Sequence, residues 1–170
     1  MTRTEALAAV AIGRRIADEM LAGGCDLLGI GEMGIGNTTA SSAIVAALTG
    51  RPAAAVTGRG TGLDDVGVAR KAAIIDAALA RHRLDPADPI GVLAAVGGFE
   101  IAGLVGAILA TAGARVPVVL DTLGLEPVLD LGLRLGEGSG AALAIPVIRV
   151  AARIIGEMAT FEDAGVTNRE

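Results

Sequence analysis

Four glycine-rich segments, each set just ahead of an apolar stretch, constrain this chain more than any other feature. They are residues 31–39, 58–62, 97–100 and 136–140. Glycine runs interrupt regular structure and permit close backbone approach. A helix starting behind such a run offers unpaired N–H groups and the positive end of its dipole. Two short apolar runs, Asp26-Leu27-Leu28-Gly29-Ile30 and Val116-Pro117-Val118-Val119-Leu120, read as buried strands. Helices alternating with such strands predict an α/β fold with a parallel sheet, in a single domain over residues 1–170. Loops at the carboxyl ends of parallel strands converge on one crevice, and a phosphorylated small molecule is its natural occupant.

The core must be aliphatic. Hydrophobic residues make up 52% of the 170, yet there are 2 Phe and no Tyr or Trp. With so little to stack on bases and a net charge of -5, nucleic acid is not an expected partner. Residues 101–114 are uncharged, but Glu100 and Arg115 bound them and the run is too short to span a bilayer. Gly103, Gly106 and Gly113 within it suit a helix packed closely on a sheet. The N-terminus lacks the pattern of a signal peptide, so a cytoplasmic protein is expected, with no membrane partner. Cys25, the one cysteine, excludes an internal disulfide framework and reads as a small buried residue. His82, the one histidine, rules out a histidine-rich metal site. It sits in Arg81-His82-Arg83, where a cationic helix C-terminus explains it.

Residues 4–21 read as an amphipathic helix stopped by Gly23-Gly24. Further helices are expected over 38–48, from Leu63-Asp64-Asp65 to about Arg81, from an Asp85 cap with Pro86 to Gly97-Gly98, from Phe99 to Gly113, and over 141–158. The alternation of Leu131, Leu133 and Leu135 suggests a strand, with a helix as the alternative.

Polar residues inside the loops carry the chemistry. Glu32 and Glu137 each sit between glycines, where a carboxylate can take a proton or bind sugar hydroxyls; the alternative is a capping or solvent-facing acid. Lys71, one to two turns into its helix, is either a phosphate ligand or a solvated lysine. Asn37, Thr38 and Thr39 can cap the helix behind the first loop, donate to a phosphate, or both. No P-loop and no complete dinucleotide fingerprint is present.

Gly31-Glu32-Met33-Gly34-Ile35-Gly36-Asn37-Thr38-Thr39 resembles the signature of the nicotinate-nucleotide:dimethylbenzimidazole phosphoribosyltransferases. Gly58-Arg59-Gly60-Thr61-Gly62-Leu63-Asp64-Asp65 with Arg70-Lys71, Gly97-Gly98-Phe99-Glu100-Ile101-Ala102 and Arg134-Leu135-Gly136-Glu137-Gly138-Ser139-Gly140-Ala141 resemble further family motifs in the same order. So does the closing Glu157-Met158-Ala159-Thr160-Phe161-Glu162. The resemblance implies a Rossmann-like fold, usually as a homodimer. It implies transfer of phosphoribose from nicotinate mononucleotide to 5,6-dimethylbenzimidazole, giving α-ribazole phosphate and nicotinate in cobalamin lower-ligand synthesis. Glu137 matches the family's general base. The implied substrate contacts are Glu32, Met33, Gly34, Gly36, Asn37 and Thr38, then Arg59, Gly60, Thr61, Lys71 and Gly98, and finally Arg134 and Leu135. No metal or other cofactor is required, because the pyridinium is already a good leaving group.

Against the family pattern the chain is short. The family's N-terminal half is absent, and so is a stretch after Asp121, where Thr122-Leu123-Gly124 follows directly. Two alternatives therefore stand beside the transferase. One is a minimal phosphate- or nucleotide-binding α/β domain with weak or no catalysis. The other is an enzyme that keeps the phosphoribosyl site and uses another acceptor base.

Overall fold

A computed structural model describes residues 1–32, 34–60, 62–120 and 145–150. The chain forms two compact units, residues 1–28 with 32–117 and residues 29–31 with 118–170.

The first unit is helical. Helix α1 (Arg3–Ala22) starts in a capping box: Thr2 accepts from the Glu5 N–H while the Glu5 carboxylate takes the Thr2 N–H. The Thr2 N–H and the Thr2 hydroxyl both donate to Glu5 Oε2, at 2.7 and 3.0 Å, and in that order hold the Glu5 carboxyl below its usual range. Helix α2 spans Asn37–Thr49, the short α3 spans Ala53–Val56, and α4 spans Asp65–His82. Asp64 caps α4 by accepting from the Gly67 N–H at 2.8 Å. The expected cationic end is present, with His82 the last residue and Arg83 closing the helix in the left-handed region at φ 48°.

Helix α5 (Pro89–Val96) begins three residues later than the sequence suggests. Asp-Pro occurs twice, and the second pair is the start: Asp88 caps by accepting from Gly91, with Pro89 in the first turn. Asp85 instead closes a turn, accepting from the Ala87 N–H at 2.9 Å. Arg3 donates to Asp88 at 2.6 Å, linking the starts of α1 and α5.

Helix α6 (Phe99–Ala114) lies against α1, so its glycines serve a helix–helix contact and not the expected helix–sheet one. A Cβ on Gly106 would lie 1.9 Å from the Val10 carbonyl oxygen, and one on Gly13 would lie 1.8 Å from that of Gly103. The two backbones touch, and no side chain larger than hydrogen fits between them. The rest of the core is small aliphatic packing. Ala43, Ala53, Ala72 and Ile75 form one cluster, and Ala9, Leu93 and Ala102 another. Cys25 is half-buried, not buried, because it falls in the turn after α1, where its Sγ donates to the Leu27 carbonyl.

The sheet holds β1 (Leu28–Ile30) and β2 (Val118–Leu120) as hydrogen-bonded neighbours. Within β1, Leu28 and Ile30 are buried and Gly29 is exposed. The fold class is α/β, mostly helical with a small parallel sheet, as expected. Residues 145–150 are helical, within the expected last helix. The expected strand at 131–135 lies outside the described residues. Among those described, no helix is long and apolar enough to cross a membrane.

Candidate functional site

The site begins at the uncapped start of α2. Gly36 is its N-cap, in the left-handed region at φ 83°, with no side-chain cap; the Asn37 N–H donates to the Gly34 carbonyl and the Thr39 N–H to that of Gly36. Neither Asn37, Thr38 nor Thr39 occupies the cap, so the capping alternative for these residues does not apply. The first turn of α2 carries no acid of its own; the nearby carboxylates, Glu32 and Glu100, come from the preceding loop and from α6.

Lys71 supplies the second element. It lies in the second turn of α4 and is 7% exposed. Its Nζ donates to Thr38 Oγ1 at 2.7 Å and to the Gly58 carbonyl at 3.5 Å. Lys71 is therefore not a solvated helix lysine; it ties the first two glycine loops together. Both partners are neutral. No ion pair involving Lys71 occurs among the described residues. Burial pushes its pKa below the usual lysine value. An ammonium has three N–H donors, so one donor remains beyond these two bonds. Thr38, Gly58 and Gly60 are exposed, so the ammonium sits beneath a floor that a ligand can reach. Gly60, at φ 55°, borders the same spot: a Cβ there would lie 3.1 Å from Thr38 Oγ1 and 3.9 Å from Lys71 Nζ.

The third element runs from Glu32 to α6. The Gly34 N–H donates to Glu32 Oε2. A Cβ on Gly34 would lie 3.3 Å from Asn37 Nδ2, so Asn37 packs close beside Gly34. Asn37 Nδ2 donates to Glu100 Oε1 at 3.0 Å, and Asn37 Oδ1 accepts from Ser41 Oγ at 3.0 Å. Both ends of the Asn37 amide are thus engaged by protein. Gly98 is the N-cap of α6.

Arg59 is turned to its own loop, donating to the Leu63 carbonyl at 3.0 Å and pairing with Asp65. Met33, Thr61, Arg134, Leu135 and Glu137 lie outside the described residues. Sequence reasoning did not single out Glu100 or Ser41. Glu100 was visible as the acid in a first helical turn, but nothing in the sequence pairs it with a residue 63 positions earlier. A cavity of about 320 Å³ opens between α2, α4 and α5, lined by Gly36 and Thr39 at the start of α2 and by Ala43, Ile75, Val96 and His82 further in. No cluster of metal-ligating side chains occurs among the described residues.

A buried lysine, a helix start without a side-chain cap and two glycine loops form the candidate site of an α/β protein. Within that class, the chain belongs to a phosphoribosyltransferase family, whose sequence model matches residues 1–123 and 119–166. It is 47% identical to the nicotinate-nucleotide–dimethylbenzimidazole phosphoribosyltransferase of Roseiflexus castenholzii, covering 99% of this chain and 59% of that protein. The enzyme of the same name from Geobacter sulfurreducens is also 47% identical, over 98% of this chain and 58% of its own. The crystal structure of CobT from Thermus thermophilus matches with a TM-score of 0.89 at 41% identity, over 99% of this chain and 62% of that one. The chain thus spans about three fifths of the length of the relatives it matches. The family match divides around residues 119–123, beside Asp121, and the alignment to the Roseiflexus protein runs over 207 residues against 170 here. The relatives therefore carry residues that this chain lacks internally.

Proposed function

We propose that the chain transfers phosphoribose from nicotinate mononucleotide to 5,6-dimethylbenzimidazole, giving α-ribazole phosphate and nicotinate. One observation carries the reading: Lys71 is buried and, among the described residues, bonded only to neutral partners, beside a helix start that has no side-chain cap. A phosphate is the ligand that such a group lacks. Thr38 and Gly60 border it, and Glu32, Met33, Gly34, Gly36, Asn37, Arg59, Thr61, Gly98, Arg134 and Leu135 complete the proposed substrate contacts. Glu137 is the proposed general base. It takes the imidazole proton as the nitrogen attacks the anomeric carbon; the bond to nicotinate breaks on the opposite face, and β becomes α. This chemistry needs no metal. The reading includes one functional domain, acting as a homodimer in the cytoplasm.

The test is to incubate the purified chain with both substrates and measure nicotinate release. Release that disappears in Glu137→Gln supports the transfer. Saturable nucleotide binding with no turnover supports instead a phosphate-binding module. The residues missing beside Asp121 favour that second reading.

A further inference from the structure

We infer that Glu100 is a positioning residue for the nucleotide: through Asn37 it sets the Glu32 side of the site, apart from the phosphate grip of Lys71. The inference rests on the functional reading above.

The geometry forms a continuous line. Glu100 Oε1 accepts from Asn37 Nδ2 at 3.0 Å, and the other end of that amide is taken by Ser41 at 3.0 Å. An amide held at both ends has one orientation. Asn37 lies against Gly34, and the Gly34 N–H holds the Glu32 carboxylate. The line therefore runs from Glu100 through Asn37 and Gly34 to Glu32. Lys71 is not in it; its partners are Thr38 and Gly58.

Glu100 reaches this place because residue 98 is glycine. A Cβ on Gly98 would lie 2.1 Å from Glu100 Oε1 and 2.4 Å from Oε2. The carboxylate thus folds back over the start of its own helix, where the dipole favours an anion. It does so without capping α6, since no side chain bonds that N-terminus. A carboxylate that leaves its own helix uncapped and instead crosses to α2 is placed for α2. Two carboxylates, Glu32 and Glu100, then border Gly34 and Asn37, where sugar hydroxyls can be bound, and neither pairs with the Lys71 ammonium.

The experiment titrates the full chain and its variants, by calorimetry, with nicotinate mononucleotide and separately with inorganic phosphate. Glu100→Ala should weaken nicotinate mononucleotide about tenfold. Inorganic phosphate, held by Lys71, should change less than about twofold. Glu100→Gln keeps an oxygen that can accept from Asn37, so its nucleotide affinity should stay within about threefold of wild type. Asn37→Ala, which also removes a proposed substrate contact, should weaken the nucleotide at least as much as Glu100→Ala, and the double variant should be no worse than Asn37→Ala alone. An equal loss of nucleotide and phosphate would mean a merely structural role and overturns the inference. So does a Glu100→Gln as weak as Glu100→Ala, or an unaffected nucleotide affinity. Wild-type protein that binds neither ligand sinks the functional reading and the inference with it. Binding that Lys71→Met abolishes and Glu100→Ala leaves intact sinks the inference alone.

Discussion

Where α1 crosses α6, backbone lies against backbone; where the first two residues of α2 meet α4 and α6, the contact runs through polar side chains. At the first place the carbonyl oxygens of Gly103 and Val10 lie within 2 Å of where a Cβ on Gly13 or Gly106 would stand. At the second, Lys71 reaches Thr38 and Gly58, and Asn37 reaches Glu100. The first contact excludes water and is purely steric. The second joins polar groups, among them a buried ammonium that no ion pair neutralises among the described residues. The chain thus separates the contact that holds it folded from the contact that is available to a ligand.

Gly106→Val tests the steric side and should have the largest effect. The added carbons fall on the Val10 backbone, so stability should drop by about 3 kcal/mol in denaturant unfolding, with nucleotide affinity of the remaining folded fraction unchanged. An effect below about 1 kcal/mol would mean that α1 and α6 slide freely and the close approach is not required.

Lys71→Met tests the polar side and should give the reverse pattern. Nucleotide affinity should fall about thirtyfold, the loss of one charged hydrogen-bonding group, while the melting temperature holds or rises because a buried charge is gone. Both quantities falling together would end the separation.

Asp64→Ala lies between the two. It removes the α4 cap and should cost about 1 kcal/mol of stability. Lys71 sits in the turn beyond, so titration should find the anion affinity within about twofold of wild type.

The smallest effect is on pH. Burial lowers the Lys71 pKa, so just below the usual lysine range the native chain binds fewer protons than the unfolded one. Lys71 should therefore make stability rise with pH in that window, while anion affinity falls as the ammonium is lost. The two slopes have opposite signs, and Lys71→Met should flatten both. Melting curves and phosphate titrations across the alkaline range check this.

Local features were legible in the sequence because their causes are local. The α6 start at Phe99, the cationic end of α4 and the β1 and β2 runs all follow from neighbours a few residues apart. The sequence points to Asp85 as the α5 cap because it precedes proline; Asp88 precedes proline too and is the cap, and it also meets Arg3 at the start of α1. Gly103 and Gly106 announced a close approach but not its partner, since a missing side chain fits a helix as well as a sheet. The site was legible as a set of glycine loops and one lysine. That Lys71 binds Thr38 and Asn37 binds Glu100 was not, because those pairs are 33 and 63 residues apart and no periodicity links them.

The neutral company of Lys71 bears on how the protein behaves in the tube. An anion that seats on that ammonium binds the native chain and not the unfolded one, so it raises the melting point by mass action. Phosphate or sulfate in a preparation would occupy the place ahead of any nucleotide, mask its affinity and lend the protein a heat resistance that vanishes on dialysis into a chloride buffer.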